Sequence, residues 1–453
     1  MFEHKKIFIL GMAKSGYEAA KLLAKYDNQV LITDMKEQDP DNVADLKELG
    51  VSFIISDDPE PLLDNTYDYL IKNPGISQDH KCVKKALKLK IPVINEVEMA
   101  YDFLKKKNNI IIGVTGSNGK TTTVTIIYEL LKSAGMKVHL GGNIGYPVSS
   151  LVEKVQDKDI LVLEISDHQL HDMYKFKTNI SVLTNLSETH LDFNKTYDNY
   201  KQIKKRIFNN HTNLDIAIIN MDNDDSVNLT KDIKSNKIYF SAQNITDVCI
   251  KDNSIYYHDE EVIPLDMIRI QGKHNYENIM CSIAVVKQFG VSNDVIKQVL
   301  NDFSGVEHRL EYVDKINGRE FYNDSKSTNN KSTITALQSF KTPVILIMGG
   351  YDRNMSFDSI APFMDNVKHV VCYGQTKDKI ADFCNKYQKD CVVINTLEEA
   401  VRVAYNLSDR EDTILLSPAC ASQDQFKNFE ERGKCFKKYV DELKEEESKN
   451  EDF

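Results

Sequence analysis

Short apolar runs alternate with longer amphipathic segments along the whole chain. Near the N-terminus, residues 6–10 form an apolar run that predicts a strand, and residues 17–26 carry apolar positions every three to four residues, which predicts a helix. A second apolar run follows at residues 30–33. Strands that alternate with helices in this way are typical of parallel sheets covered by helices. The pattern therefore predicts an α/β protein.

The alternation divides into three regions, which agrees with the roughly three domains that 453 residues can form. We expect a Rossmann-like N-terminal domain at residues 1–102 and a Rossmann-like C-terminal domain at 305–453. The central domain, at 103–304, contains a glycine-rich strand-to-helix turn that ends in Gly-Lys-Thr at 119–121, which predicts a P-loop-type ATPase domain. Each domain should contain a mainly parallel sheet. Short β-rich pieces between polar turns at residues 237–270 predict a small antiparallel insertion in the second domain.

Composition and charge narrow the class of protein. The chain has 57 Lys and Arg against 68 Asp and Glu, a formal net charge of -11, which argues against general binding to nucleic acids or anionic membranes. No run approaches the roughly 20 apolar residues of a membrane span, so we expect a cytoplasmic protein without membrane insertion. The eight cysteines form no Cys-x-x-Cys pair, and several lie in apolar runs, which favours reduced core thiols over a zinc site or a disulfide framework.

The strongest chemical signal is the sequence Gly-Val-Thr-Gly-Ser-Asn-Gly-Lys-Thr-Thr at residues 113–122. It follows the apolar run 110–112 and opens a helix-like segment, which is the strand–turn–helix context of a nucleotide phosphate loop. In such a loop the backbone N–H groups face the phosphates, Lys120 supplies a positive charge and Thr121 offers its hydroxyl to Mg²⁺. The strict P-loop pattern has a glycine where this chain has Val114, so the loop is a variant.

Polar side chains at the ends of two later strands extend this prediction. Glu164 ends the apolar run that begins at residue 160, and a carboxylate there is the usual second ligand of nucleotide-bound Mg²⁺. His190 follows the run 180–183 in the same predicted sheet. A single histidine is more often structural than catalytic, but its place at the end of a strand makes it a candidate for the same site.

Lys204 stands out in the segment 197–208. Read as a helix, this segment has an apolar stripe that contains Tyr200 and Ile207, and Lys204 falls within that stripe while Lys205 faces solvent. Burial and neighbouring cations should lower the pKa of such a lysine. Two readings stay open from the residues alone: an amine that reaches out to water along its apolar stem, or a neutral amine that reacts with CO₂ to give a carbamate able to bind a metal.

Three polar turns follow three predicted strands of the last region, at residues 323–329, 349–353 and 417–422. The carboxyl ends of parallel strands share one edge of a sheet, so the turns should converge there on a ligand site. Near the N-terminus, the turn between Gly11 and Gly16 lacks the Gly-x-Gly-x-x-Gly pattern of NAD sites. This turn favours another phosphate-bearing nucleotide.

These motifs resemble those of the Mur ligase family along the whole chain. The segment 113–122 is similar to the family's ATP loop, and the turn Asn-Asp-Ser-Lys-Ser-Thr-Asn at 323–329 is similar to that of the member that adds D-glutamate. Further matching segments lie at residues 142–145, 189–192, 274–278, 307–310 and 416–422.

The resemblance implies an ATP-dependent, amide-forming ligase of peptidoglycan synthesis, with a role in cell-wall biogenesis, cell shape and cell division. ATP would phosphorylate the terminal carboxylate of UDP-N-acetylmuramoyl-L-alanine, and the amine of D-glutamate would attack the acyl phosphate. The implied cofactors are Mg²⁺ at two sites and carbamylated Lys204. We expect a monomer.

The resemblance also assigns roles to individual residues. The catalytic set would be Lys120, Asn143, His190 and Lys204. ATP would be bound by Gly116, Ser117, Asn118, Gly119, Lys120, Thr121, Thr122, Asn275, Asn278, Arg309 and Asp324. The metal ligands would be Thr121, Glu164, His190 and Lys204 as its carbamate. The UDP substrate would be bound by Ser15, Asp34, Gly75, Asn143, Ser166 and Gln169, and D-glutamate by Thr328, Arg353, Ser422 and Phe429.

Two features depart from the family pattern. Asp167 replaces a serine near the muramoyl substrate, and the cation expected after Asp352 is assigned to Arg353. Two alternatives therefore stay open. One is a sibling Mur-type or folylpolyglutamate-like amide ligase that takes another amino acid, and the other is a nucleotide-binding relative without catalysis.

Overall fold

The computed structural model of the protein describes residues 2–189 and 191–451. Across this part of the chain, strands and helices alternate in three sheets of five, nine and six strands. Most neighbouring strands are parallel, as the alternation predicts. Within the same residues, no helix is both long and apolar enough to span a bilayer.

The first sheet is entirely parallel, with strand order β3-β2-β1-β4-β5. Its strands are β1 (Lys6–Leu10), β2 (Gln29–Asp34), β3 (Ser52–Ile55), β4 (Tyr69–Lys72) and β5 (Val93–Ile94), and its helices are α1 (Ala13–Ala24), α2 (Pro40–Glu48), α3 (Lys81–Lys88) and α4 (Glu96–Leu104). The prediction that residues 11–16 form a turn is wrong in part, because α1 already begins at Ala13.

The second sheet has the order β14-β13-β12-β11-β10-β9-β6-β8-β7. Its strands are β6 (Ile110–Thr115), β7 (Val138–Gly142), β8 (Ile160–Glu164), β9 (Ile180–Leu183), β10 (Ile216–Asn220), β11 (Asn236–Ser241), β12 (Val248–Lys251), β13 (Ser254–Tyr257) and β14 (Glu260–Pro264). The helices are α5 (Lys120–Ser133), α6 (Val148–Leu151), α7 (Asp167–Leu170), α8 (Leu191–Asn194), α9 (Tyr197–Lys205), α10 (Asp224–Leu229), α11 (Lys273–Lys287) and α12 (Asn293–Asp302).

The predicted antiparallel insertion at 237–270 is only partly correct. Strands β13 and β14 are antiparallel, but β11 and β12 continue the parallel part of the sheet. The segment therefore extends the central sheet instead of forming a separate element.

The third sheet has the order β15-β16-β20-β17-β18-β19 and is parallel except for the edge pair β15–β16. Its strands are β15 (Glu311–Ile316), β16 (Arg319–Asn323), β17 (Val344–Gly349), β18 (Val367–Tyr373), β19 (Cys391–Val393) and β20 (Thr413–Leu416). Its helices are α13 (Asn330–Leu337), α14 (Lys377–Lys386), α15 (Leu397–Leu407) and α16 (Phe429–Glu451).

The chain separates into two compact units, one up to Phe303 and one from Ser304 onward. The first unit contains two sheets, and they are joined by buried polar contacts as well as by apolar packing. Lys72 forms a fully buried ion pair with Asp172 at 2.8 Å, and both carboxylate oxygens of Glu98 accept backbone N–H groups at residues 175 and 176. These contacts cross from the first sheet's region to the second's, so the first unit behaves as one packed body. The three-domain boundaries stay a prediction.

Candidate nucleotide and substrate site

The glycine-rich loop connects β6 to α5 at the carboxyl edge of the central sheet. Gly116 and Gly119 have φ values of +147° and +80°, a region that residues with a side chain rarely adopt. A Cβ on Gly116 would lie 2.0 Å from the hydroxyl oxygen of Thr184, and one on Gly119 would lie 2.1 Å from the amide oxygen of Asn278. Both glycines are therefore required by backbone conformation and by packing. Lys120 follows at the first position of α5, so a phosphate in this loop would meet the helix N-terminus.

The residues that follow β9 hold the loop in place. The Thr184 hydroxyl donates to the Asn118 carbonyl at 2.6 Å, and the side-chain oxygen of Asn185 accepts from the Asn118 N–H at 3.0 Å. The Ser117 hydroxyl lies 2.9 Å from that of Tyr200. Sequence reasoning assigned no role to Thr184, Asn185 or Tyr200. For Thr184 and Asn185 the available signal is position alone, since they directly follow β9, a strand beside β6.

Three candidate residues meet at the start of α5. The Thr121 hydroxyl donates to one carboxylate oxygen of Glu164 at 2.7 Å, and the side-chain amide of Asn143 donates to the other at 2.8 Å. Glu164 ends β8 and Asn143 follows β7, the two strands on one side of β6. A hydroxyl and a carboxylate at this distance are the oxygen ligands that Mg²⁺ prefers next to a nucleotide phosphate. The donor set fits the predicted metal site.

Lys204 is fully buried on α9. Its ammonium group donates to the Thr115 hydroxyl at 3.0 Å and lies 3.8 Å from a carboxylate oxygen of Asp167. Burial, together with the nearby charge of Lys120, lowers the pKa of Lys204 to about 7 against the opposing effect of Asp167. The prediction that Lys204 lies on the core-facing side of the helix is confirmed, and the alternative that its amine reaches out to water is wrong. Lys205 lies at the surface and pairs with Asp232 at 2.6 Å.

Asp167, the departure from the family pattern, is also buried and has partners on several sides. The side-chain amide of Asn194 donates to it at 2.7 Å, and the His168 ring lies 3.5 Å away. Burial disfavours its charge, but hydrogen bonds from His168 and Asn194 and the charge of Lys204 hold its pKa well below the usual range. Its negative charge is therefore compensated by neighbouring side chains.

A cavity of about 500 Å³ joins the first two sheets at this edge. It is lined by the N-terminal turn with Ser15, by Gly75 after β4, and by Lys120 and Asn143 from the nucleotide side. Ser166 and Gln169 also line it. These last two form a capping box at the start of α7, in which each side chain accepts the other's backbone N–H.

Asp34 lies at the end of β2, next to the cavity's N-terminal turn. Its carboxylate accepts the backbone N–H groups of Met12 at 2.9 Å and of Lys36 at 3.1 Å. This carboxylate thereby fixes the start of α1.

Two predicted ATP ligands, Asn275 and Asn278, lie on α11. Asn278 is buried against the phosphate loop, whereas Asn275 is half-buried and donates to the Gln271 carbonyl at 2.9 Å. Thr122 is half-buried on α5.

In the second unit, the three predicted polar turns come together. The Ser417 hydroxyl donates to Asp324 at 2.7 Å, and the Tyr351 N–H donates to the Ala421 carbonyl at 2.9 Å. Arg432 of α16, which sequence reasoning missed, is fully buried and donates to carbonyl oxygens of residues 325, 420 and 421. Nothing in the polar sequence of α16 singles out this arginine.

The candidate residues of the second unit differ in exposure. Asp324 is buried, and burial raises its pKa to about 6 although Ser417 and the backbone N–H of Leu310 donate to it. Ser422 is buried and Thr328 and Phe429 are half-buried, whereas Arg309 and Arg353 are exposed. The cation that pairs with Asp352 is Lys379, at 3.1 Å. His190 lies outside the described residues.

Two family models and many known proteins match this chain, and the matching proteins cover nearly all of it. Residues 114–286 match the Mur ligase middle domain, and residues 308–420 match the Mur ligase glutamate ligase domain. The protein named UDP-N-acetylmuramoylalanine--D-glutamate ligase from Geobacillus kaustophilus is 42% identical over 98% of this chain and 99% of its own length. The protein of the same name from Bacillus subtilis is 42% identical over 96% of this chain and 97% of its own.

Solved structures agree in fold. UDP-N-acetylmuramate-alanine ligase MurC from Thermotoga maritima superposes with a TM-score of 0.59 at 18% identity, covering 97% of this chain and 100% of that one. MurF ligase from Thermotoga maritima in complex with ADP gives a TM-score of 0.53 at 16% identity, over 97% and 96%. With relatives this similar over nearly its full length, the chain belongs to the Mur ligase family of ATP-dependent ligases of peptidoglycan synthesis.

Proposed function

We propose that this chain joins D-glutamate to UDP-N-acetylmuramoyl-L-alanine and converts ATP to ADP and phosphate in the same reaction. The proposal rests on one observation: Lys120 of the phosphate loop lines the same cavity as Ser15 and Gly75 from the region of the first sheet. A UDP-linked acceptor held at the N-terminal turn would place its far end beside the phosphate loop. The relatives' shared name supports this acceptor and this amino acid.

In the proposed reaction, a carboxylate oxygen of the acceptor attacks the γ-phosphorus of ATP, and the bond to the bridging oxygen breaks to release ADP. The D-glutamate amine then attacks the acyl carbon, loses a proton, and expels phosphate as the amide forms. Transfer between anions needs compensation of negative charge. Lys120 and the N–H groups at the start of α5 would supply it, and Asn143 would orient the reacting carboxylate by an amide hydrogen bond.

Thr121 and Glu164 would hold one Mg²⁺, which when bound neutralises charge on the nucleotide phosphates. His190 and Lys204 are the proposed ligands of a second Mg²⁺. For Lys204 this requires the carbamate, formed when the neutral amine adds to CO₂ and releases one proton. A pKa of about 7 leaves a substantial share of that amine neutral near neutral pH, which favours the reaction.

Phosphate release from ATP with the UDP-muramoyl-alanine acceptor tests the proposal, with D-glutamate, L-glutamate, L-lysine and diaminopimelate as separate amino-acid substrates. We expect release with D-glutamate alone. Release with another amino acid would identify a sibling ligase, and release with none would favour a nucleotide-binding relative without catalysis. The hydrogen bonds that Asp167 receives from Asn194 and His168 do not depend on the charge of Lys204, and they support the catalytic alternative.

A cytoplasmic location and a monomeric state stay predictions. Size-exclusion chromatography with light scattering at several protein concentrations tests the monomer, and cell fractionation tests the location.

A further inference from the structure

Three cysteines that no part of the ligase mechanism uses lie together in the second unit. The Sγ atoms of Cys372, Cys384 and Cys391 are all within 4.8 Å of one another, and all three thiols are free. They come from three elements, β18, α14 and β19. None of them is a proposed ATP or D-glutamate ligand, so the cluster needs an explanation of its own.

The register of the sheet explains why the three side chains meet. Cys391 pairs with Val370 in the parallel ladder between β18 and β19. Cys372 is two residues beyond Val370, and residues two apart on a strand point to the same face. Cys384 on α14 packs onto that face, within the same buried cluster as Cys372.

The spacing suits a metal ion held by three sulfurs. A Zn–S bond of about 2.3 Å in a trigonal or tetrahedral arrangement separates the sulfurs by roughly 3.8–4.0 Å, and the three Sγ atoms, all within 4.8 Å of one another, already lie near that spacing. Thiolates are soft ligands that select Zn²⁺ and related thiophilic ions over Mg²⁺. Thiols that only fill an apolar core do not need to bring three sulfur atoms this close together.

The surroundings provide both enclosure and access. Cys372 and Cys384 are buried beside apolar side chains such as Ile380 and Phe383, whereas Cys391 is half-buried. An ion can therefore enter beside Cys391, and water can fill the fourth position of a three-thiolate zinc site from the same side.

We propose that Cys372, Cys384 and Cys391 form a binding site for one thiophilic cation of the Zn²⁺ class. Each ligating thiol releases its proton to solvent, and the ion ties the three-residue edge strand β19 to β18 and α14. The site is separate from the ligase chemistry, so its failure would leave the proposed function untouched.

Titration of the reduced, chelator-treated full chain with Cd²⁺ alone tests the proposal, because thiolate-to-cadmium charge transfer is visible in the ultraviolet. We expect the charge-transfer signal to saturate at one equivalent of Cd²⁺ and the melting temperature of the metal-free chain to rise when Zn²⁺ is added instead. In Cys391→Ser the affinity should fall at least about tenfold, since one of three metal–sulfur bonds is lost.

Cys435→Ser is the matched control, because Cys435 is also a half-buried thiol of the second unit. It should bind like the wild type. Circular dichroism of both variants without metal checks that they fold. Absence of a charge-transfer signal, no rise in melting temperature with Zn²⁺, or equal binding in the two serine variants would overturn the proposal.

Discussion

At the scale of single residues, Lys204 is where burial and charge bear most directly on the proposed chemistry. Lys204→Ala is expected to lower kcat by at least about 100-fold, the size of effect seen when one group that stabilises transition-state charge is removed. Added bicarbonate should not restore activity, whereas short carboxylic acids should restore part of it by occupying the carbamate's position. Steady-state phosphate release measures both effects.

Lys205→Ala is the control for this prediction, because Lys205 is on the same helix but pairs with Asp232 at the surface. Its activity should stay close to that of the wild type. Full activity of Lys204→Ala would contradict a role for the carbamate.

Glu96 gives a pH prediction for the first unit. Burial and, to a smaller extent, the negative charge of Glu18 raise the pKa of Glu96 from its ordinary 4.5 to about 7, although the backbone N–H of Ser149 donates to it. Between these values the folded chain holds a proton that the unfolded chain has released. The free energy of unfolding should therefore fall as pH rises from 4.5 to 7 and stay reduced above that range.

Glu96→Gln removes this titration while keeping an acceptor oxygen. Between pH 5 and pH 8 the free energy of unfolding of the variant should rise by up to about 3 kcal/mol relative to that of the wild type, an upper bound set by the pKa shift. Urea unfolding at both pH values measures the difference. The exposed Glu153→Gln should follow the wild type, and a pH-independent difference for Glu96→Gln would refute the assignment.

The sequence predicted where a side chain lies only when the residue belongs to a helical repeat of apolar positions or to a known motif. The apolar stripe of α9 predicted that Lys204 lies on the core-facing side of the helix, and the loop motif predicted Thr121 near Glu164. The partners of Asp167 and the buried guanidinium of Arg432 depend on contacts between segments far apart in the chain. No local pattern encodes such contacts.

At the scale of elements, the phosphate loop depends on the fit between Gly119 and α11. Gly119→Ala should raise the KM for ATP by about 10- to 100-fold, because the new methyl group meets the Asn278 amide in a backbone conformation that strains alanine. The double change Gly119→Ala with Asn278→Gly should not recover fully, since the strain at φ +80° remains.

Gly135 provides a matched control at the other end of α5. Its φ is +78°, and a Cβ there would meet nothing within 4 Å. Gly135→Ala should lose about 1 kcal/mol of stability from backbone strain but keep the KM for ATP. If both alanine variants changed the KM for ATP equally, contact with Asn278 would not explain the requirement for Gly119.

Strand positions followed closely from the apolar runs, since β1 and β9 have the predicted bounds. Helix starts were less certain, because α1 begins inside a segment whose glycines suggested a turn. The pairing of β11 and β12 with the central sheet was missed, because a strand's sequence does not state which neighbour it pairs with.

At the scale of the whole molecule, the proposed ligand contacts divide between the two compact units. The proposed UDP contacts lie before Phe303, and the proposed D-glutamate contacts lie after Ser304. The boundaries of the three predicted domains stay a prediction. Within the first unit, the buried pair Lys72–Asp172 joins the regions of the first two sheets.

This division predicts how hydrogen exchange should respond to single ligands. UDP alone should slow amide exchange at residues 11–16 and 73–76, which border the cavity, because a ligand stabilises the segments that it contacts. Exchange in the second unit should not change with UDP. ADP should instead slow exchange at residues 116–122. Mass spectrometry of peptides from the full chain, with each ligand added separately, distinguishes the two patterns. If UDP protected residues 116–122 and not the N-terminal turn, the acceptor's nucleotide would not bind where the cavity suggests.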